Sequence, residues 1–273
     1  MMLPTYRSRY LPAMRIEEIE AIPCKEEIPV IIPVGAVEQH GPHLPVGVDA
    51  ILGQHWLNLA LPKLPEEVSV FIAPPITIGK SDEHQGFPGT LFISAQTLGR
   101  LLTAIARQLH AWGFRTFAVL NTHGGNISVL RYTMRELQVE LCVRFHVLSL
   151  GYEPPLPAQE AAYGFHANTM ETACMLAATE GLIDMSKARC EYPASIEDPG
   201  ELKPEEAPAT FAWITCDVSE SGIVGDAPAA TQALGQEWSE CFASGLAGEI
   251  LRLVEATRQA VERHRAQTDP HPG

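Results

Sequence analysis

The chain has 273 residues, of which 46% are hydrophobic and 19% charged, the balance of a globular protein with a sizeable core. Its formal net charge of -14 argues against nucleic acid or an anionic membrane as the main partner. The sequence has no apolar run of membrane-spanning length, no convincing secretory signal and no CxxC pair among its six cysteines. We therefore expect a cytoplasmic protein with reduced, mostly buried thiols.

Strands and helices are predicted to alternate along the chain. The hydrophobic pattern predicts strands at 30–34, 68–73, 116–120 and 143–150, and helices at 16–22, 50–61, 94–112, 127–141, 166–181 and 228–263, the last as one helix or two. Asp49 and Ser94 are the expected N-caps of the helices that follow them. Residues 151–165 are expected to be irregular, and residues 265–273 to be a disordered tail.

This alternation predicts an α/β fold in which helices cover both faces of a mainly parallel sheet. The sequence shows no internal repeat and no linker, so residues 1–273 are expected to form a single domain. In such a sheet, ligands collect beyond the carboxyl ends of the strands. Polar residues at those ends are therefore the first candidates for a functional site.

The stretch VGAVEQHGPHLPVGVD follows the first predicted strand and offers Glu38, His40 and Asp49. Glu38 and His40 are two residues apart, so in an extended segment they point to the same side. The loop is rich in Gly and Pro and is long enough to curl back, which would bring Asp49 toward them. Two carboxylates and an imidazole that converge in this way suit a divalent zinc, manganese or iron ion.

Two later segments supply further candidate ligands. His123 follows the third predicted strand in NTHGGN, where two glycines allow close backbone approach. A phosphate-cradling turn is the alternative there, and the neighbouring carboxylates disfavour it. Glu171 lies on a predicted helix with apolar neighbours, where a carboxylate without a partner would be costly, and a metal ion would supply the missing charge.

The candidate donors are too many for one tetrahedral ion and fit two metal ions that share the aspartate. They are Glu38, His40, Asp49, His123 and Glu171. Such a pair can hold a hydroxide between the ions and polarise a carbonyl, so hydrolysis of an amide-type C–N bond is expected. His166 is not needed as a ligand and is free to donate or accept a proton, and Glu171 is grouped with it as a catalytic candidate.

Five blocks of the sequence together resemble the creatininase family of metal-dependent amidohydrolases. They are VGAVEQHGPHLPVGVD, SDEHQGFPGT, NTHGGN, HANTMETA and GIVGDAPAAT, in the family's order and within about residues 16–250. The resemblance implies a three-layer α/β/α sandwich, two divalent metal ions and hydrolysis of a non-peptide or formamide-type C–N bond. It also implies a small-molecule amide substrate and a homo-oligomer, often a hexamer.

Matched block by block, Glu38 and His123 would hold one metal ion and His40 the other, with Asp49 as the bridge. His166 matches the family's catalytic histidine. The third block departs from creatinine-hydrolysing members, in which a bulky aromatic residue and a metal-binding glutamate follow the histidine. Gly124 and Gly125 stand here instead, so the fifth ligand is expected from Glu171.

The HGGN form is more similar to members that act on formamides and to the peptidase of mycofactocin maturation. Hydrolysis of creatinine itself and a non-catalytic, small-molecule-binding role stay open as alternatives. Substrate contacts are expected from the long loop after the second strand and from the turn after the third. The expected contacts are Ser81, Glu83, His84, Gly124, Gly125 and Asn126.

Overall fold

The computed structural model describes residues 4–203 and 209–268. Its centre is a parallel sheet of four strands in the order β2-β1-β3-β4. The strands are β1 Pro29–Val34, β2 Phe71–Ile72, β3 Thr116–Asn121 and β4 Arg144–Val147. β1 and β3 pair along their whole length, from Pro29 opposite Thr116 to Val34 opposite Asn121. Their carboxyl ends therefore lie side by side.

Helices cover both faces of this sheet, which confirms the predicted α/β/α sandwich. The α-helices of the described residues are α1 Ile16–Glu20, α2 Val48–Ala60, α3 Ala95–Ala111, α4 Ile127–Leu141, α5 Ala158–Tyr163, α6 Thr169–Ala178, α7 Thr215–Val218 and α8 Gln232–Thr268. Alternate residues of a strand face opposite sides, so Ile32 joins the core under α3 and α4 while Ile31 joins the core under α2, α6 and α8. A small antiparallel sheet, β5 Cys190–Glu191 with β6 Gly225–Asp226, lies apart from the main one.

Two predictions about helix starts are wrong, and both errors fall at the site. Helix α2 begins at Val48 after Gly47, so Asp49 is not its N-cap but a first-turn residue with 3% of its surface exposed. Helix α6 begins at Thr169, with Asn168 as its N-cap, and not at His166 as predicted. His166 is extended because its backbone pairs with Val224 in an isolated bridge. Ser94 does cap α3, accepting a hydrogen bond from the Thr97 backbone N–H.

Other differences are local. The second strand is shorter than predicted, and the region 151–165 contains α5. The last helix is single and includes residues 265–268, so the predicted disorder is wrong there, while 269–273 lie outside the described residues. Arg265 ion-pairs with Glu26 and Glu27, which ties this helix end to the start of the fold.

All six cysteines are free, as expected, but the prediction that most are buried is wrong. Cys24, Cys142, Cys190 and Cys216 are exposed, and only Cys174 is fully buried. Among the described residues, no helix has both the length and the apolar character needed to cross a membrane.

Candidate metal centre

The predicted ligands converge at the carboxyl edge of the sheet. Glu38 and His40 follow β1, and His123 lies two residues beyond β3. Asp49 reaches the same place from the first turn of α2, and Glu171 from the first turn of α6. All of these side chains are almost completely buried except that of Glu171, which is 13% exposed.

The two carboxylate oxygens of Asp49 face different histidines. Oδ2 lies 3.6 Å from His123 Nδ1, and that nitrogen is also 3.1 Å from Glu38 Oε2. Oδ1 lies 3.8 Å from His40 Nε2, which is also 3.8 Å from Glu171 Oε2. The donors therefore divide into two adjoining groups that share one aspartate.

In His40 and His123, the ring nitrogen that points away from the cluster lies close to a protein acceptor. His40 Nδ1 lies 3.1 Å from the Glu38 carbonyl oxygen. His123 Nε2 lies 2.9 Å from the Lys80 carbonyl oxygen and 3.2 Å from Glu83 Oε1. Metal-binding histidines commonly donate their second ring N–H in this way, which fixes the orientation of the ring. The inner nitrogens, His40 Nε2 and His123 Nδ1, are thus the ones presented to the cluster.

Several inner atoms of the cluster lack the partners that burial requires. Glu38 Oε2, His40 Nε2 and Asp49 Oδ2 are buried without a hydrogen bond to any described residue. Each such atom costs free energy unless something else satisfies it. Glu38, His40 and Asp49 bring one ligand atom each within 4.8 Å of the other two, and so do Glu38, Glu83 and His123. The donor set and its partnerless atoms fit divalent cations.

Without a cation, the pKa values of these groups are strongly displaced. Burial, with the nearby charge of Glu38, raises the pKa of Asp49 well above its usual range, and burial raises the pKa of Glu171 to about 8. Burial also opposes ionisation of Glu38, but the imidazoles of His123 and His84 outweigh it and hold its pKa well below the ordinary value. Burial likewise opposes the charge on His123, yet Glu38 and the other carboxylates raise its pKa well above 6.5. These shifts favour the protonated forms of Asp49, Glu171 and His123 and the ionised form of Glu38.

His166 lies against the same cluster. Its Nε2 is 2.8 Å from the Gln39 carbonyl oxygen, and its Nδ1 is 3.7 Å from Glu38 Oε1. Its ring lies against those of His40 and His84, with centroids 4.2 Å and 4.3 Å away. Burial lowers the pKa of His166 well below 6.5, so its imidazole is neutral at pH 7.

The expected substrate contacts have different surroundings from one another. Ser81, Glu83 and His84 lie behind the proposed ligands and contact protein atoms: Ser81 Oγ is 3.2 Å from His123 Nε2, and His84 Nε2 is 3.3 Å from Glu38 Oε1. Asn126 is completely buried and bonds the Lys80 N–H and the Gly35 carbonyl, which fixes the loop to β1.

Gly124 and Gly125 are neighbours with opposite surroundings. A Cβ atom on Gly124 would meet nothing within 4 Å, whereas one on Gly125 would overlap Glu83 Oε1, the Lys80 carbonyl and His123 Nε2. The space that a longer side chain at position 125 would need is therefore filled by Glu83. The sequence showed that both positions are glycine but not that only one of them is enclosed.

A cavity of about 250 Å³ opens beside the cluster. Three proposed ligands line it together with Gly124, Asn121 and Thr122; the ligands are Asp49, His123 and Glu171. The lining also includes the apolar side chains of Leu52, Trp56, Ile127, Leu150 and Met170. Part of this apolar lining could have been predicted from the sequence, because Asp49, Leu52 and Trp56 share one face of α2. Gln39, which lies between two predicted ligands, was missed as well.

Comparisons with known proteins agree with this fold. The profile of the family described as creatininase, creatinine amidohydrolase, matches residues 12–250. The chain belongs to the creatininase family of amidohydrolases. Within it, the chain is 32% identical over 226 residues to a mycofactocin precursor peptide peptidase of Mycolicibacterium smegmatis, covering 82% of this chain and 84% of that protein. It is 26% identical over 264 residues to a creatinine amidohydrolase of Pseudomonas putida, covering 89% and 96%.

Solved structures show the same architecture. A tryptophan-to-alanine mutant of creatininase superposes with a TM-score of 0.73 at 23% identity, covering 90% of this chain and 98% of that one. A creatinine amidohydrolase (creatininase) superposes with a TM-score of 0.69 at 22% identity, covering 89% and 96%. At these identities the likeness concerns the fold.

Proposed function

We propose that this protein is a binuclear metal-dependent amidohydrolase that cleaves a non-peptide or formamide-type C–N bond of a small molecule. The observation that carries the proposal is Asp49, whose two oxygens face two different imidazoles beside the buried Glu38 and the nearly buried Glu171. Structural relatives include a manganese form and a zinc–zinc form of creatininase, which makes manganese or zinc a reasonable first choice for loading. Iron accepts the same donors.

In this proposal Glu38 and His123 would hold one cation and His40 and Glu171 the other, with Asp49 shared between the two. A pair of divalent ions supplies a Lewis acid for the amide carbonyl and lowers the pKa of water. Glu83 and the Lys80 carbonyl keep His123 oriented by accepting its outer N–H. The enclosed setting excludes bulk water from the donors.

His166 moves the proton in this mechanism. Its Nε2 proton is directed to the Gln39 carbonyl oxygen, so Nδ1 presents a lone pair toward Glu38. Because burial keeps the ring neutral at pH 7, Nδ1 can accept a proton from the attacking water and then pass it to the departing nitrogen of the amide as the C–N bond breaks.

The cavity indicates the kind of amide that fits. Its described lining contains no Lys or Arg side chain and includes five large apolar side chains. A substrate with a compact, uncharged apolar substituent would bury that group against Leu52 and Trp56 while its amide faces the donors. An anionic substituent would find no cationic partner in this lining.

A second candidate is cleavage of a bond in a short peptide, which the similarity to mycofactocin precursor peptide peptidases favours. Creatinine hydrolysis proper is supported by the more distant relative of Pseudomonas putida. It is disfavoured because Gly124 and Gly125 replace the aromatic residue and the glutamate of creatinine-hydrolysing members. A non-catalytic binding role is disfavoured because every proposed donor is retained.

The test is a hydrolysis assay of the full chain after loading with zinc or manganese. The panel contains formamides, small neutral cyclic amides, creatinine and short peptides. We expect turnover of neutral amides or formamides with about two ions bound per chain, and we expect His166→Ala to keep the ions but lose turnover. Fewer than one ion per chain after metal supplementation, or no cleavage of any amide by the loaded protein, would contradict the proposal.

A further inference from the structure

Gln39 lies between two proposed ligands and is 5% exposed. Two backbone groups fix the orientation of its amide. The Gly41 N–H donates to Oε1 at 2.9 Å, and Nε2 donates to the Gly222 carbonyl oxygen at 3.1 Å. A backbone N–H can only donate and a carbonyl can only accept, so the amide cannot be flipped.

The second amide hydrogen of Gln39 determines the tautomer of His84. Gln39 Nε2 lies 2.9 Å from His84 Nδ1, which must therefore accept. When the ring carries a single proton, that proton is then on Nε2, which faces Glu38 Oε1 at 3.3 Å. The Thr215 hydroxyl lies 2.7 Å from the same Nδ1 and 3.0 Å from the Glu83 carbonyl oxygen, so it can donate its proton to the nearer Nδ1, in agreement with an accepting Nδ1.

The remaining polar contact of the amide is with His166. Gln39 Nε2 is 3.1 Å from His166 Nε2, but that ring nitrogen is closer to the Gln39 carbonyl oxygen, at 2.8 Å. Since the carbonyl takes the His166 proton, both amide hydrogens of Gln39 remain directed to Gly222 and His84. Gln39 thereby acts on the cluster mainly through His84.

The consequence falls on Glu38. His84 occupies Oε1, while Oε2 has no hydrogen bond to any described residue and lies 3.1 Å from His123 Nδ1. We propose that Gln39 and His84 are positioning residues that direct Glu38 so that it binds its metal ion through Oε2 alone. This inference rests on the proposed metal centre.

The surrounding chain reserves space for this arrangement. Gly222 has φ +84, and a Cβ atom there would overlap the Gln39 amide. A substitution at Gly222 therefore displaces the amide without changing any proposed ligand. Gly181 has a similar φ of +73, and a Cβ atom there would meet nothing within 4 Å. It provides a matched control for the backbone conformation.

The test is nitrogen NMR of the zinc-loaded full chain with ¹⁵N-labelled histidine, with zinc affinity measured in parallel. The His84 signal, assigned by its loss in His84→Asn, is expected to show the proton on Nε2. In Gln39→Glu the new carboxylate accepts rather than donates, so the proton moves to Nδ1 and a lone pair faces Glu38. Substitutions of residues that hydrogen-bond a metal ligand typically weaken metal binding about 10–100-fold. We expect Gln39→Glu to weaken zinc binding by a similar factor.

Gly222→Ala should shift the same signal and weaken zinc binding, whereas Gly181→Ala should do neither; this pair also serves if Gln39→Glu fails to fold. A wild-type His84 that is protonated on Nδ1 or bound to zinc would overturn the inference. Unchanged zinc affinity in both Gln39→Glu and Gly222→Ala would overturn it too. The two claims can fail separately. If His84 shows the expected tautomer and the protein binds zinc but cleaves no amide, the positioning role is supported and the proposed hydrolysis is contradicted.

Discussion

At the scale of single residues, Gly124 and Gly125 show how different two adjacent identical residues can be. Gly125 is enclosed by the groups that orient His123, whereas Gly124 borders open space in the cavity. We predict that Gly125→Ala lowers the metal content of purified protein, because its methyl group must displace Glu83 or turn the His123 ring. Gly124→Ala should keep the metal and change only KM.

Elemental analysis and steady-state kinetics on the two variants provide the measurement, and each variant is the control for the other. Equal metal content in both variants would show that the packing around Gly125 does not support the centre. A loss of metal in Gly124→Ala alone would contradict the inference that Gly124 borders open space and Gly125 does not.

Glu171 leads to a prediction about protons. Because burial raises its pKa to about 8 in the metal-free protein, Glu171 is mostly protonated at pH 7 and must lose that proton to bind a cation. Zinc binding should therefore release protons and strengthen as pH rises through 8. Glu171→Gln should release about one proton fewer at pH 7 and bind zinc more weakly.

Calorimetric titration with zinc in buffers of different ionisation enthalpy measures the released protons. The difference between wild type and Glu171→Gln should shrink at pH 9, where Glu171 is already ionised. The exposed Glu180→Gln is the control and should leave the proton count unchanged. If Glu171→Gln left both the proton count and the zinc affinity unchanged, Glu171 would not be a ligand.

At the scale of elements, α8 holds α6, and with it Glu171, against the sheet. Gly235 of α8 is so close to α6 that a Cβ atom would overlap the Ala173 carbonyl. We predict that Gly235→Ala destabilises the fold by about 1–3 kcal/mol through overpacking. Gly248, on the same helix, has room, so Gly248→Ala should stabilise by about 0.5–1 kcal/mol through reduced backbone entropy in the unfolded chain.

Denaturant unfolding of both variants measures these changes in free energy. The pair separates crowding at the α6–α8 contact from the general effect of alanine in a helix. A Gly235→Ala protein at least as stable as Gly248→Ala would show that α8 can move away from α6 at no cost.

The elements that were predicted well are those whose sequence signal is local. β1, β3 and α4 have the expected positions because apolar periodicity and strand-end glycines define them without help from the rest of the chain. His166 was misplaced onto a helix because its extended conformation depends on pairing with Val224, which is remote in sequence. The strand edge brought Glu38, His40, Asp49 and His123 together as expected. The link from Gln39 to His84 depends on how the loop after β2 folds back, and no local pattern encodes that.

At the scale of the whole molecule, metal occupancy should govern stability. Buried carboxylates that lack cations destabilise the fold once they ionise, and bound cations stabilise it by mass action. The pKa of Glu171 is raised from 4.5 to about 8, so its contribution to stability is complete below pH 4.5 and lost as pH rises through 8. We predict that the difference in Tm between zinc-loaded and chelated protein widens from pH 6 to pH 9.

Calorimetry at both pH values tests this, with Glu171→Gln as the variant in which the widening should be smaller. A difference in Tm that is constant with pH would contradict the link between occupancy and ionisation.

The single domain and the homo-oligomer, often hexameric in the family, stay predictions. Light scattering checks the second, because a mass of 29.8 kDa in solution would mean a monomer.

Glu171 comes from a segment far along the chain from Glu38 and Asp49, which has a consequence for the protein inside a cell. If the proposed ions are missing, these carboxylates lie together without the cations that would stabilise them, so the chain should open more often than the loaded form. Proteases act on opened chains, and small losses of stability can change abundance several-fold. The amount of this protein should therefore follow the supply of its metal during starvation and recovery, even when its synthesis is constant.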